Sequence, residues 1–146
     1  MSEPAVPEIS VVIPVYNEES VLPLLFKRLY AVMEGMDRSY EIVFVDDGSR
    51  DRTAWLLQQQ FQAVPETTRV VVLKTNFGQH AAIMAGFSHC RGQYVITLDA
   101  DLQNPPEEIP KLVAKMDEGY DYVGTIRRKR QDVLWRQVAG KMMNRL

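Results

Sequence analysis

Short apolar runs, each closed by a loop carrying acidic or amide residues and followed by a helical stripe, recur along this chain and constrain its fold more than any other feature. Ile9–Val15 is the first run: β-branched, apolar on both faces and too short for a helix, it reads as a central parallel strand. Pro14 sits near its end, where a missing donor is tolerable. Residues 16–18 form the following loop, and from about Glu19 a stripe of Val21, Leu24, Leu25, Arg28, Leu29 and Val32 predicts a helix. The design repeats with a strand over 41–45, a turn and cap over 46–51, and a helix carrying Trp55, Leu56 and Phe61. A third strand over 69–73 leads through Asn76-Phe77-Gly78-Gln79 into a helix with Ala81, Ala82, Ile83, Ala85 and Gly86, whose small side chains allow close approach to a sheet. A fourth strand over 93–98, a helix over 106–118, a fifth strand over 120–126 and a last helical stretch from about Val133 complete the series. The alternation predicts an α/β fold with a mainly parallel sheet and helices on both faces.

The 146 residues make one domain, 1–146, with residues 1–8 as an N-terminal tail; a chain of this length buries about two thirds of its unfolded surface. A single cysteine, Cys90, excludes an intramolecular disulfide and a cysteine-rich metal site, which suits a reducing, cytosol-facing compartment. No apolar run reaches the roughly eighteen residues of a membrane span, and the acidic start lacks the features of a secretory signal. The last helical stretch runs to Leu146 without a stop signal, so truncation at the C-terminus is expected.

The fourth strand stops at two carboxylates one residue apart, Asp99 and Asp101. In extended backbone such residues point the same way and suit a shared hard cation, although a solvated turn explains most isolated Asp-x-Asp pairs. Asn104 and Pro105 end the strand, and Pro106 opens a helix whose Glu107 and Glu108 suit its positive end. Three strands end in such groups: Asn17 and Glu18, Asp46 and Asp47, Asp99 and Asp101. A parallel sheet puts these ends on one edge, where carboxylates without nearby Lys or Arg repel one another unless a divalent ion joins them. His80 can contact a ligand or cap its helix, whereas His89 belongs to the surface and Cys90 packs as a small apolar residue.

Charge is distributed unevenly. The net −2 divides into +6 over residues 127–146 and −8 over residues 1–126. The basic stretch is either a solvated helix face or a surface for phosphates or an anionic bilayer. Neither a glycine-rich dinucleotide loop nor a Gly-x-x-x-x-Gly-Lys loop is present, which removes the main support for a dinucleotide enzyme or a simple nucleoside triphosphatase.

Four stretches in order, Val11-Val12-Ile13-Pro14-Val15-Tyr16-Asn17-Glu18, Val45-Asp46-Asp47-Gly48-Ser49, Asn76-Phe77-Gly78-Gln79 and Leu98-Asp99-Ala100-Asp101-Leu102-Gln103-Asn104-Pro105-Pro106-Glu107, resemble family 2 glycosyltransferases of GT-A fold. Residues 78–89 and the tract Val123-Gly124-Thr125-Ile126-Arg127 are similar to the branch that loads a sugar onto a polyprenyl phosphate. The resemblance implies a UDP-sugar donor, an undecaprenyl phosphate acceptor, Mg2+ or Mn2+ as cofactor, no nucleic acid partner, and a place at the cytoplasmic face of the bacterial inner membrane, as in lipid A modification and antibiotic resistance. It implies a nucleotide site of Pro14, Tyr16, Asn17, Glu18, Asp46, Asp47, Asn76, Gly78, Asp99, Ala100 and Lys141. Asp101, Gln103 and Asp99 would hold the metal, and Asp99, Asp101 and Arg127 would serve catalysis, with Arg127 and Lys141 meeting phosphate oxygens. Full members are about twice as long, so acceptor-site and membrane segments are expected to be missing from these residues.

An ionised phosphate acceptor, with its second pKa near 6, needs no carboxylate base to remove a proton. Two other readings fit the same groups. A metal-dependent nucleotidyltransferase would release pyrophosphate from a triphosphate, and a binding module would hold UDP and a cation without transferring anything.

Overall fold

The computed structural model of the protein describes residues 5–125. Its elements run β1 (Ile9–Val15), α1 (Leu22–Gly35), β2 (Tyr40–Asp46), α2 (Thr53–Ala63), β3 (Thr68–Val72), α3 (Gln79–His89), β4 (Tyr94–Thr97), a 3-10 turn (Pro106–Glu108) and α4 (Ile109–Asp117). The four strands form one sheet of order β3-β2-β1-β4, and every pairing is parallel. From β1 the chain winds outward through β2 to β3, then crosses back to place β4 on the other side of β1. Right-handed crossovers in the two directions put their helices on opposite faces. Thus α1 and α2 cover one face and α3 covers the other.

Strand alternation divides β1 between two cores. Ile9, Val11, Ile13 and Val15 join Ile42 and Phe44 beneath Leu22, Leu25, Leu29 and Met33 of α1, Leu57 of α2, and Ile109 and Val113 of α4. Phe26 meets Phe44 edge to face, centroids 5.4 Å apart. On the other face Val12, Val43 and Val45 pack against Ala82 of α3. The helix can lie this close because position 86 is glycine: a Cβ there would collide with Val12 and come within 3.2 Å of Val45.

Several boundaries differ from the sequence reading. Helix α1 starts at Leu22 rather than near Glu19, and its buried stripe follows Leu22, Leu25, Leu29 and Met33, leaving Leu24 half exposed. The helix predicted over 106–118 opens as a 3-10 turn, because Pro110 has no N–H to give and its ring would crowd the carbonyl of residue 106. The strand expected over 120–126 is absent from its described part, residues 120–125, and Ile126 lies outside the described residues. That tract has strand-like alternation but no ladder partner among the described residues: β4 pairs only with β1, and Tyr122 is 85% exposed. The stretch expected to be helical from Val133 also lies outside the described residues. Among the described residues no helix is long and apolar enough to cross a membrane.

At the amino ends of the strands lies a buried ionic cluster without an apolar signature in the sequence. Glu41, opposite Ser10 in the β1–β2 register, is 2% exposed. Its carboxylate accepts from Ser10 Oγ at 2.7 Å and Arg91 N at 2.6 Å, and pairs with Arg69 Nε at 2.8 Å and Arg91 Nη2 at 3.2 Å. Ser10 Oγ in turn accepts from Gly92 N at 2.8 Å. The cluster ties β1, β2, β3 and the turn before β4 together. Burial by itself would raise the Glu41 pKa, but the hydrogen bonds from Ser10 and Arg91 and the charge of Arg69 prevail and hold it below its ordinary 4.5.

A carboxylate whose pKa is lower in the folded state contributes stability that is complete above its unfolded value and lost as pH falls through the folded one. Glu41→Gln is therefore expected to cost about 1 to 3 kcal/mol at pH 7, since it removes the buried charge to which Ser10, Arg69 and Arg91 are bonded while leaving the partly exposed arginines open to water. It should also flatten the acid limb of the stability curve below about pH 4.5. Urea unfolding of both proteins from pH 7 to pH 3 measures this, and parallel pH profiles would refute it.

Candidate active site at the carboxyl edge of the sheet

The reversal of strand order around β1 leaves a crevice between the carboxyl ends of β1 and β4, the position at which open parallel sheets receive ligands. A cleft of about 310 Å³ occupies it, lined by Pro14, Val15, Tyr16, Glu18, Asp47, Asn76, Gly78, Gln79, Asp99 and Asp101.

Its walls are loops held to one another. After β1, Asn17 takes a left-handed conformation (φ 51°) and exchanges hydrogen bonds with the loop after β2: Asn17 N donates to Ser49 Oγ and Arg50 N donates to Asn17 Oδ1, both at 2.9 Å. Glu18 N donates to Thr53 Oγ1, also at 2.9 Å, and Arg52 N donates to the Glu19 carboxylate at 2.9 Å. Asp51 accepts from Thr53 N at 2.9 Å and so tethers the start of α2. In the loop after β2, Asp46 Oδ1 accepts from Ser49 N at 3.1 Å and closes a turn through Gly48, whose φ is 72°. Any Cβ at Gly48 would meet the backbone of Thr75 and Asn76 at 2.5 to 2.8 Å, so glycine lets the second and third loops touch.

Asp47 joins those loops. It is 3% exposed, and its two carboxylate oxygens accept from Phe77 N at 2.8 Å and Gly78 N at 2.9 Å. Gly78, with φ 98°, turns the chain into α3, and Gln79, the first helical residue, donates from Nε2 to Asp99 Oδ1 at 2.8 Å. Beyond β4, Asp101 Oδ1 accepts from Gln103 N at 3.0 Å across Leu102, which is left-handed (φ 61°).

The cleft is acidic. Glu18, Asp47, Asp99 and Asp101 line it together, and no Lys or Arg among the described residues does. The pKa of Glu18 is raised, first by burial and then by the charges of Asp101 and Asp51. Repulsion of this kind is what a cation relieves, and carboxylate and amide oxygens are the donors a hard divalent ion prefers. Among the described residues, however, no three His, Cys, Asp or Glu side chains are grouped as a complete set of ligands. Such a site fits an ion that takes one or two carboxylates from the protein and the rest of its shell from water or phosphate oxygens, as Mg2+ commonly does.

Of the residues singled out in the sequence, the structure brings Pro14, Tyr16, Glu18, Asp47, Asn76, Gly78, Asp99 and Asp101 to the cleft. Four others stand apart. Asn17 and Asp46 use side-chain oxygens on loop amides, Ala100 is buried at 4% exposure, and exposed Gln103 does not line the cleft. Arg127 and Lys141 lie outside the described residues. His80 is exposed, lines no part of the cleft and gives α3 no side-chain cap. His89 is exposed, as expected, and Cys90 is half-buried against the α3 core. Gln79 stood in the stretch over 76–79 without a role of its own; its signal is its place, one residue past the glycine that opens α3. Ser49, Asp51 and Thr53, which stitch the loops, carry no signal distinguishable from ordinary turn and cap residues.

A second cleft, of about 750 Å³, adjoins the first through Asp99 and is bounded by Phe87, Val95, Leu112, Met116 and Tyr122. It runs along the side of β4 that has no ladder partner among the described residues.

The chain is 56% identical over its whole length to undecaprenyl-phosphate 4-deoxy-4-formamido-L-arabinose transferase of Klebsiella pneumoniae, and it spans 45% of that relative. Among solved structures it superposes on glucosyl-3-phosphoglycerate synthase of Mycobacterium tuberculosis with a TM-score of 0.64, at 25% identity over 96% of this chain and 53% of that one. A complex of glucosyl-3-phosphoglycerate synthase from the same organism with Mn2+, uridine diphosphate and glucosyl-3-phosphoglycerate matches with a TM-score of 0.57, at 27% identity over 75% of this chain and 39% of that one. The architecture is the α/β fold of GT-A glycosyltransferases. The model of the glycosyl transferase family 2 matches residues 10–145, nearly the whole chain including the cleft, and the protein belongs to that family.

Proposed function

We propose that these residues form the nucleotide-sugar half of a glycosyltransferase that moves 4-deoxy-4-formamido-L-arabinose from a UDP-sugar to undecaprenyl phosphate. The observation that carries the reading is the meeting of Glu18, Asp47, Asp99 and Asp101 in one cleft at the strand-order reversal. Support for the substrates comes from the name of the 56% identical relative, and support for nucleotide and ion from the complex with Mn2+ and uridine diphosphate.

In this reading the nucleotide lies over the carboxyl ends of β1 and β2. Pro14, Tyr16 and Glu18 form one side of its pocket, and the loop that Asp47 holds forms the other. Asp99 faces the ribose and diphosphate, with Asn76 and Gly78 near the base. Asp101 and Asp99 would hold Mg2+ or Mn2+, which when bound supplies positive charge against the growing negative charge of the departing diphosphate. The acceptor phosphate, already ionised at neutral pH, forms a new bond from its oxygen to the anomeric carbon. The bond from that carbon to the diphosphate oxygen breaks, and UDP leaves with the electron pair. Arg127 and Lys141 are assigned to phosphate oxygens. Residues 1–146 belong to one GT-A catalytic domain, which acts at the cytoplasmic face of the bacterial inner membrane with residues 127–146 against the anionic surface.

Three measurements test this. Asp101→Asn should weaken Mn2+-dependent UDP binding by about 1 to 3 kcal/mol, the size expected when a charged partner is lost. Calorimetry with UDP in Mn2+ and in chelator reads it directly, and equal wild-type affinity in both would sink the cation assignment. Asp47→Ala should lower UDP affinity in Mn2+ and in chelator alike, because the wall it holds faces the nucleoside rather than the ion; a loss confined to Mn2+ would move Asp47 to the cation site. Finally, the protein should float with vesicles containing anionic lipid, and binding should weaken as salt rises, each basic group contributing about 1 kcal/mol at low salt. Salt-independent flotation would remove residues 127–146 from the membrane contact.

A further inference from the structure

The groups assigned above to nucleoside and diphosphate are joined by one run of hydrogen bonds. Asp47 holds Phe77 N and Gly78 N through its two oxygens, and the next residue, Gln79, holds Asp99 through its side-chain amide. Little slack exists in the run. Asp47 is 3% exposed, Gly48 presses on the backbone of Thr75 and Asn76, and Gln79 is already part of α3, whose Ala82 and Gly86 are packed against β1 and β2. Asp99, by contrast, follows β4 at the open side of the sheet, adjoins Ala100-Asp101 in the turn region, and borders both clefts. The Gln79 amide gives its carboxylate a directed contact at 2.8 Å from the helix across the cleft. An amide suits the task chemically: Nε2 donates to a carboxylate oxygen without adding a positive charge that would compete with a cation.

We propose that Gln79 is a positioning residue, which orients the Asp99 carboxylate from the loop that Asp47 anchors and thereby makes nucleoside binding and diphosphate binding a single event. The proposal rests on the nucleotide reading given above. Gln79 acts through Asp99, and its effect on ligand affinity depends on the contact between the two side chains.

A double-mutant cycle on the full-length protein tests it, with UDP titrated calorimetrically in saturating Mn2+ into the unsubstituted protein, Gln79→Met, Asp99→Ala and the double variant. Methionine keeps the length of the side chain and removes its donor, and alanine removes the acceptor. Gln79→Met is expected to weaken UDP binding about tenfold, the low end for removing a hydrogen bond to a carboxylate at a partly exposed site. In the Asp99→Ala background the same substitution should change affinity less than about twofold, whereas a residue with a merely structural role would give the same loss in both backgrounds. Losses that multiply independently overturn the proposal, as does an unaltered affinity in Gln79→Met. If Asp99→Ala binds too weakly to titrate, Gln79→Glu decides: it exchanges the donor for an acceptor facing Asp99 and must lose more than Gln79→Met, and an equal loss overturns the proposal. Thermal unfolding midpoints of the Gln79 variants should match that of the unsubstituted protein, and a clear drop would make the role structural. Failure of the unsubstituted protein to bind UDP would overturn the nucleotide reading and the proposal with it, whereas UDP binding indifferent to Gln79 overturns the proposal alone.

Discussion

The parallel ladder on both sides of β1 is the constraint on which the rest depends. Seven residues pair with β2 on one side and four with β4 on the other, so β1 is buried throughout except at Pro14, and its carboxyl end is held between two strand ends. A one-residue slip would exchange the Ile9-Val11-Ile13 face with the Ser10-Val12 face and move Ser10 away from Glu41. The apolar registry and the buried ionic cluster therefore select the same alignment. That alignment sets how far Tyr16 and Glu18 lie from Asp99 and Asp101.

The sheet has different chemistry at its two ends. At the amino ends, Glu41 is surrounded by Arg69, Arg91 and Ser10, with its charge balanced within the fold. At the carboxyl ends, four carboxylates share a cleft that no basic side chain among the described residues lines. The single carboxylate of the first end is paired within the fold, whereas the four of the second face one another across the cleft. The pKa of Glu18 is raised there, first by burial and then by the charges of Asp101 and Asp51. Backbone amides, rather than cationic side chains, take up the charge of Asp47, which leaves that wall ordered without neutralising the cleft.

Small residues do much of the positioning. Gly86 lets α3 lie close on Val12 and Val45, and Gly48 lets the second and third loops touch. Together they bring Gln79 within reach of Asp99 from the opposite side of the cleft. A helix held away from the sheet by even one methyl group would carry Gln79 away with it, because close-packed interiors transmit such displacements.

The sequence by itself determined the strands, since β-branched runs bounded by turn residues have few other uses, and it determined that Glu18, Asp47, Asp99 and Asp101 share one edge, since parallel strands of alternating β and α units end together. It also supplied the family, through four motifs in order. Tertiary structure decided what local pattern does not encode. Whether residues 120–125 form a strand depends on a ladder partner, not on alternation, and none is available among the described residues. Asp46 and Asp47 are adjacent and chemically identical, yet one closes its own turn while the other anchors a loop thirty residues away. The pairing of Glu41 with Arg69 and Arg91, and of Gln79 with Asp99, likewise joins residues far apart in the chain, because a hydrogen bond is set by distance in space and no spacing in the sequence announces it.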